Sequence, residues 1–168
     1  MLSTLGDALN LEVRENSMGF TALHTAALFG NEWPLSVLLA NGANPLTRGD
    51  NGRFPIYVAI EKGFSECVRL LGNYSPISLN LPVSEAMPPL YPLHIAFMYD
   101  KPDVATLLME LGANVNVTVP ETGHIGVGVG VCTPLMLAIL RKHSIQALEM
   151  IARGCDVRSP NDDGRLPM

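Results

Sequence analysis

Charge is scarce in this chain. Asp, Glu, Lys and Arg make up 16% of its 168 residues, against 48% apolar residues, and the mean hydropathy is +0.24. So thin a charged surface leaves some apolar side chains facing solvent. A basic excess is also missing. The net charge is −5 and the pI is near 5.3, without the basic footprint that non-specific nucleic-acid binding requires. No run of eighteen apolar residues occurs, so no transmembrane helix is expected. No basic segment followed by an apolar stretch opens the chain, so no secretory signal is read; export by a route without such a signal stays open. Cysteines are few, at Cys67, Cys132 and Cys155. Their odd number and wide spacing read as reduced thiols in an intracellular compartment, cytoplasm or nucleus.

What the chain does contain is a phrase used four times. It reads Thr21-Ala22-Leu23-His24, Phe54-Pro55-Ile56-Tyr57, Tyr91-Pro92-Leu93-His94 and Thr133-Pro134-Leu135-Met136, and a fifth copy opens at Leu166-Pro167-Met168. The first and last steps are 33 residues; the middle two are 37 and 42. A unit this small cannot bury its own apolar face and must stack on its neighbours. Extra residues map to loops. One extra stretch falls within 73–90, where Pro76, Pro82, Pro88 and Pro89 exclude a regular helix. The other falls within 117–131 and is rich in glycine and valine.

Each unit follows one grammar. An apolar helical run with small residues follows the phrase, at Ala26-Ala27, Ala59, Ala96 and Ala138. A short break comes next, at Gly30-Asn31, Lys62-Gly63, Asp100-Lys101 and Lys142-His143. A second helical run then ends in paired apolar residues, and in three units Gly42, Gly112 or Gly154 stands where a left-handed helix cap belongs. The second unit departs, reading Gly72-Asn73-Tyr74-Ser75-Pro76.

The phrase, the Gly42-Ala43-Asn44 and Gly112-Ala113-Asn114 caps, and the Asp50-Asn51-Gly52 and Asp163-Gly164 turns resemble the ankyrin repeat. The resemblance covers nearly the whole chain, with four repeats over about 16–48, 49–85, 86–127 and 128–160 and the start of a fifth over 161–168. It implies an all-α fold: an ankyrin-repeat solenoid of stacked helix–turn–helix units with β-turn or hairpin loops and two loop insertions. It also implies a protein-binding module that is not an enzyme, with no cofactor or metal, and a monomer. His24 and His94 would be structural, tying neighbouring turns together. Residues 1–15 are expected to form one helix capping the first repeat. The half-written fifth repeat suggests a fragment of a longer protein; a natural stop is the other reading. In the longer-protein reading, the repeats target or regulate an enzyme or a bacterial effector that acts in a host cytosol, with catalysis outside this chain.

Several sequence coincidences carry blander readings. His124, Cys132 and His143 lie close in sequence, but nothing places a base and an orienting group beside the thiol as nucleophilic catalysis requires. Arg48-Gly49-Asp50 reads as part of an inter-repeat turn. Val119-Pro120-Glu121-Thr122-Gly123 resembles a sortase signal, yet a full repeat follows it. Gly126-Val127-Gly128-Val129-Gly130 has no lysine and alternates like β-ribbon rather than a phosphate loop. Residues 115–132 are therefore read as a projecting hairpin with Pro120–Gly123 near its tip. It is either a floppy insertion or a contact finger presenting Thr122, His124, Ile125 and Val127.

The strongest functional signal is the outer side of the first helices. By register, the outward pairs are Leu28-Phe29, Glu61-Lys62, Met98-Tyr99 and Leu140-Arg141, and Phe20, Arg53, Leu90 and Cys132 precede the four phrases. In the family this face lines the concave groove. The partner site is thus expected at Phe20, Leu28, Phe29, Leu90, Met98, Tyr99 and Leu140, flanked by Arg53, Glu61, Lys62 and Arg141. Aromatic, Met and Arg side chains are the composition of interface cores. The competing reading has the insertions fold back over this face. Trp33 stands either in the core or as a second exposed anchor.

Overall fold

The computed structural model describes residues 10–14, 18–82, 89–122 and 129–157, with the side chains of 120–122 and 129–131 excepted. Eight helices follow in pairs among the described residues: α1 Ala22–Phe29 with α2 Glu32–Ala40, α3 Pro55–Lys62 with α4 Ser65–Tyr74, α5 Pro92–Met98 with α6 Pro102–Glu110, and α7 Pro134–Leu140 with α8 Ser144–Ala152. Helices of seven to ten residues do not hold in water on their own. They hold here because α1, α3, α5 and α7 pack in one row and α2, α4, α6 and α8 in a second row against it. Ala27, Ala59, Ala96 and Ala138 are fully buried between the rows, where small side chains let the helices come close.

Local chemistry sets the helix ends. Pro55, Pro92 and Pro134 are each the first helical residue, where the missing N–H has no intrahelical partner to lose. The break after each first helix is a left-handed residue: Gly30 at φ 68°, Gly63 at 84°, and then Asp100 at 57° and Lys142 at 62°. Glycine at the first two sites also leaves room for the next repeat. A Cβ on Gly30 would lie 2.7 Å from the Phe64 ring, and one on Gly63 would lie 3.0 Å from Lys101 Cδ. At Asp100 the corresponding side chain is His143, whose Nε2 lies 3.0 Å from Asp100 Oδ1. That is ion-pair distance when the imidazole is protonated, although the alignment falls short of a hydrogen bond.

The departures from the regular unit have physical reasons. The second unit lacks a glycine cap because α4 simply runs on through Gly72 to Tyr74. Gly72 is buried, and a Cβ there would sit 3.0 Å from Leu111 Cδ1 and 3.1 Å from Leu79 Cδ2. A 3₁₀ turn over Pro76–Asn80 follows. The second insertion is an antiparallel hairpin of β1 Val119–Thr122 and β2 Val129–Cys132, pairing Val119 with Cys132 and Thr122 with Val129. Pro120, Glu121 and Thr122 therefore lie within a strand, where the sequence placed them near a tip; Gly123 and the residues on to 128 lie outside the described residues. The hairpin root is buried at Val119 and Cys132.

The expected N-terminal helix needs a similar correction. Residues 10–14 hold a turn, not helix; 1–9 and 15 lie outside the described residues. Glu12 carboxylate oxygens accept from the Asn44 N–H at 2.9 Å and from the Thr47 hydroxyl. The same backbone site is met by Asn80 at Asn114 (2.7 Å) and by Asn116 at Asp156 (2.8 Å). One polar side chain thus reaches forward to each of these three exit loops.

A second ladder runs through the fourth residue of the phrase. His24 Nε2 lies 3.0 Å from the Arg53 carbonyl, Tyr57 Oη lies 3.1 Å from the Leu90 carbonyl, and His94 Nε2 lies 3.3 Å from the Cys132 carbonyl. In each case the acceptor is the residue just before the next phrase. A carbonyl only accepts, so both histidines carry their proton on Nε2. Thr21 completes His24, its N–H donating to Nδ1 at 3.3 Å and its hydroxyl lying 2.9 Å from the same nitrogen. Tyr91 occupies the Thr21 position in the third unit, and His94 Nδ1 finds no hydrogen-bond partner among the described residues. Tyr57 is longer than histidine, and its single hydroxyl proton is shared between the Leu90 carbonyl and the nearer Leu81 carbonyl at 2.8 Å. It holds both flanks of the first insertion.

Burial pushes the pKa of His94 down from 6.5 to about 4 and lowers that of His24, opposed in each by the carbonyl it bonds. Both imidazoles are therefore neutral in the fold and protonate more readily when unfolded. Stability is full above pH 6.5 and is lost as pH falls toward 4. From pH 7 to pH 5 the His94 contribution alone falls by about 2 kcal/mol. Urea unfolding at the two pH values should show at least that loss, and His94→Gln should flatten the dependence. Tyr57→Phe should cost about 1–3 kcal/mol in the same assay, because two part-buried carbonyls lose the proton they share. Lys142→Gly should raise stability by about 1 kcal/mol, since it relieves a left-handed lysine. Asp100→Gly should gain less, because it also removes the contact with His143.

Candidate protein-binding rim

The row α1, α3, α5, α7 places Phe29, Lys62, Tyr99 and Arg141 at one register in consecutive units. Each sits at the end of its first helix, where the left-handed break turns the chain away, so the side chain is not covered by its own second helix. Phe29 is 65% exposed, Tyr99 41% and Leu140, beside Arg141, 53%. Lys62 and Arg141 are exposed as well. Leu28, Met98 and Glu61 are half-buried behind them. Arg53 pairs with the Glu61 carboxylate, and Lys62 Nζ lies 3.7 Å from the other oxygen of the same group. That acid is shared between two cations, which fixes the middle of the rim.

Two expected members do not line this surface freely. Phe20 is only 3% exposed: its ring stacks on His24 with centroids 4.9 Å apart and lies against Gly49, where a Cβ would come within 2.9 Å of it. Packing over the inter-repeat turn outweighs its register position. Leu90 is half-buried, and its carbonyl is taken by Tyr57. Further toward the helix starts, Thr25 is exposed, but its counterparts Val58, Ile95 and Leu137 are buried. The open part of the face is therefore the rim of helix ends rather than its full height.

Trp33 is 75% exposed at the start of α2, so it is not a core residue. Of the expected finger, Thr122 lies in β1, while His124, Ile125 and Val127 are outside the described residues. Arg48 closes the inter-repeat turn, donating to the Gly52 carbonyl at 2.7 Å with its guanidinium 4.1 Å from the Phe54 ring centroid.

The thiols are poorly placed for chemistry. Cys67, Cys132 and Cys155 are all buried and unbridged. Burial pushes the Cys67 thiol up to about 11 and raises that of Cys155, away from the thiolate a nucleophile needs. Cys132 offers its carbonyl to His94, and its Sγ lies 3.7 Å from the Thr133 carbonyl. Among the described residues, no group of three His, Cys, Asp or Glu side chains is arranged to hold a metal ion, and no helix is long and apolar enough to cross a membrane.

Sequence reasoning missed two contributors. The Tyr57 strut was signalled by its place at the fourth position of the phrase, where the other units carry His24 and His94. The packing of Phe64 over Gly30 and Lys101 over Gly63 had no signal beyond the glycines themselves.

Comparison with known proteins agrees with this architecture. Residues 37–119 match the family model described as ankyrin repeats in three copies. The chain is 29% identical over 102 residues to transient receptor potential cation channel subfamily A member 1 of Drosophila melanogaster, covering 60% of this chain and 8% of that protein. It is 35% identical over 95 residues to human Rabankyrin-5, covering 56% and 8%. It is 47% identical over 54 residues to the putative E3 ubiquitin-protein ligase XBAT35 of Arabidopsis thaliana, covering 32% and 12%. The matched segments thus span only about a tenth of these relatives. With its stacked helix pairs and this match, the chain is an ankyrin-repeat solenoid and belongs to the ankyrin-repeat family.

Proposed function

We propose that this domain binds a partner protein along the rim of first-helix ends. Ankyrin repeats generally mediate protein–protein interaction, and the observation that carries the assignment is the exposure of Phe29, Tyr99 and Leu140 at one end of a rigid row. Large apolar side chains held in the open by a packed scaffold mark interaction sites. Lys62 and Arg141 supply the polar edge, and the glycine-valine hairpin is a second contact. Recognition is by rigid presentation: the helix ends are fixed before binding, so little ordering is needed when the partner arrives. The three buried reduced thiols support an intracellular setting.

A second reading is favoured by the relatives, of which this chain covers 8–12%. In it, the repeats are the targeting or regulatory part of a larger enzyme or effector, and the same rim presents the substrate or anchors the complex.

Phe29→Ala and Tyr99→Ala should each weaken binding to a captured partner by about 2 kcal/mol, roughly thirtyfold. Both side chains are exposed, so the melting temperature should hardly move. Isothermal titration with a partner identified by pull-down checks this. Unchanged affinity in both variants, with the fold intact, would place the interface elsewhere.

A further inference from the structure

Aromatic ring and cation take turns along the rim. Phe29, Lys62, Tyr99 and Arg141 occupy one register in consecutive units, and all four are exposed. We infer that the partner offers an acidic segment in polyproline II conformation, with apolar and carboxylate side chains alternating at every third residue. This rests on the rim being the interface.

Spacing selects the conformation. The first helices pack side by side in a row, and helices so packed lie about 8–10 Å apart. A polyproline II segment has three residues per turn, so every third side chain returns to one face about 9.3 Å further on. A β-strand returns side chains to one face at about 6.7 Å and about 13 Å, out of step with the row. A helix comes close to this step only at every seventh residue, about 10.5 Å, and presents an apolar stripe wider than one line of side chains. Over the first three units the open line is one residue wide. Leu28, Glu61 and Met98 behind it are half-buried, and Val58 and Ile95 beyond them are buried. A thin segment fits such a line. Aromatic side chains are what polyproline II segments dock on, and the free carbonyls of that conformation can accept from the Tyr99 hydroxyl.

Charge selects the composition. The ends of the first helices and the breaks after them hold Lys62, Lys101, Arg141 and Lys142 against Glu61 and Asp100, a net +2 in a chain that totals −5. Both acids face cations or an imidazole of the rim itself. Glu61 is shared by Arg53 and Lys62, and Asp100 Oδ1 lies 3.0 Å from His143 Nε2. The Lys101 side chain lies over Gly63, the residue after Lys62, which adds a cation to the second unit. Glu32, Glu66 and Asp103 stand in the first turns of α2, α4 and α6 and so belong to the second row. Partner carboxylates therefore meet cations at the second and fourth units, and partner apolar groups meet rings at the first and third.

The test is fluorescence polarisation of the 168-residue chain with a labelled ten-residue peptide. The peptide carries leucine at its first and seventh positions, glutamate at its fourth and tenth, and proline elsewhere; its reversed sequence is the second probe. One of the two should bind with a Kd of about 100 µM or tighter. An isomer with these side chains at every second residue, and a helical peptide with them at every seventh, should each bind at least about tenfold more weakly. Lys62→Glu with Arg141→Glu should weaken the better probe about tenfold without moving the melting temperature, and lysine in place of the peptide's glutamates should restore binding to that variant. No binding of either probe, equal or tighter binding of the isomer or the helical peptide, or indifference to the charge reversal would overturn the inference. If Phe29→Ala still weakened a captured partner after such a result, the rim would stand and only this partner chemistry would fall; if it did not, both would.

Discussion

The array depends on one bond, repeated. A side-chain proton from the fourth residue of the phrase reaches the backbone carbonyl just ahead of the next phrase, at His24 to Arg53, Tyr57 to Leu90 and His94 to Cys132. Apolar burial supplies most of the stabilisation of such a stack, but it is non-directional and allows neighbouring units to slide. A buried donor facing a carbonyl that is buried or part-buried does not, because misregister leaves the donor unpaired at a cost of about 1–3 kcal/mol. The strut therefore fixes the relative placement of successive first helices, and with it the spacing of the side chains on the rim. It also explains how the insertions are tolerated. Tyr57 and His94 anchor the chain where each insertion returns, so the added residues leave the stack undisturbed.

Much of this was legible in the sequence because stacking makes strict demands. The phrase, the 33-residue step and the cap glycines Gly42, Gly112 and Gly154 each answer a local requirement, and all three glycines are left-handed in the fold. What was less legible depended on neighbours. Asp100 and Lys142 are left-handed without being glycine; the next unit presents His143 to one, and the other is exposed. Gly72 looked like a failed cap, but it is a helical residue kept small by Leu79 and Leu111. The strand register of the hairpin could not be read either, because alternating glycine and valine fit several registers equally well.

The surface expected from register is wider than the part of the row that the structure leaves exposed. Register predicts which side a residue faces, not whether a turn packs over it. Phe20 shows the difference: its position is outward, but its ring lies on His24 and over Gly49. Phe29, Tyr99 and Leu140 escape this because each sits at or beside a helix end where the chain turns away. Exposure of large apolar groups in a sparsely charged chain thus follows from geometry, and these groups lie at the edge that the strut ladder holds in register.

The measurement that bears most directly on the strut is the tautomer of the two histidines, read from long-range ¹⁵N–¹H spectra of the imidazole nitrogens at pH 7. The account predicts that His24 and His94 are both neutral at pH 7 with the proton on Nε2, and that His94 remains so at pH 5.5. A proton on Nδ1 of either ring, or a doubly protonated ring at pH 7, would contradict it.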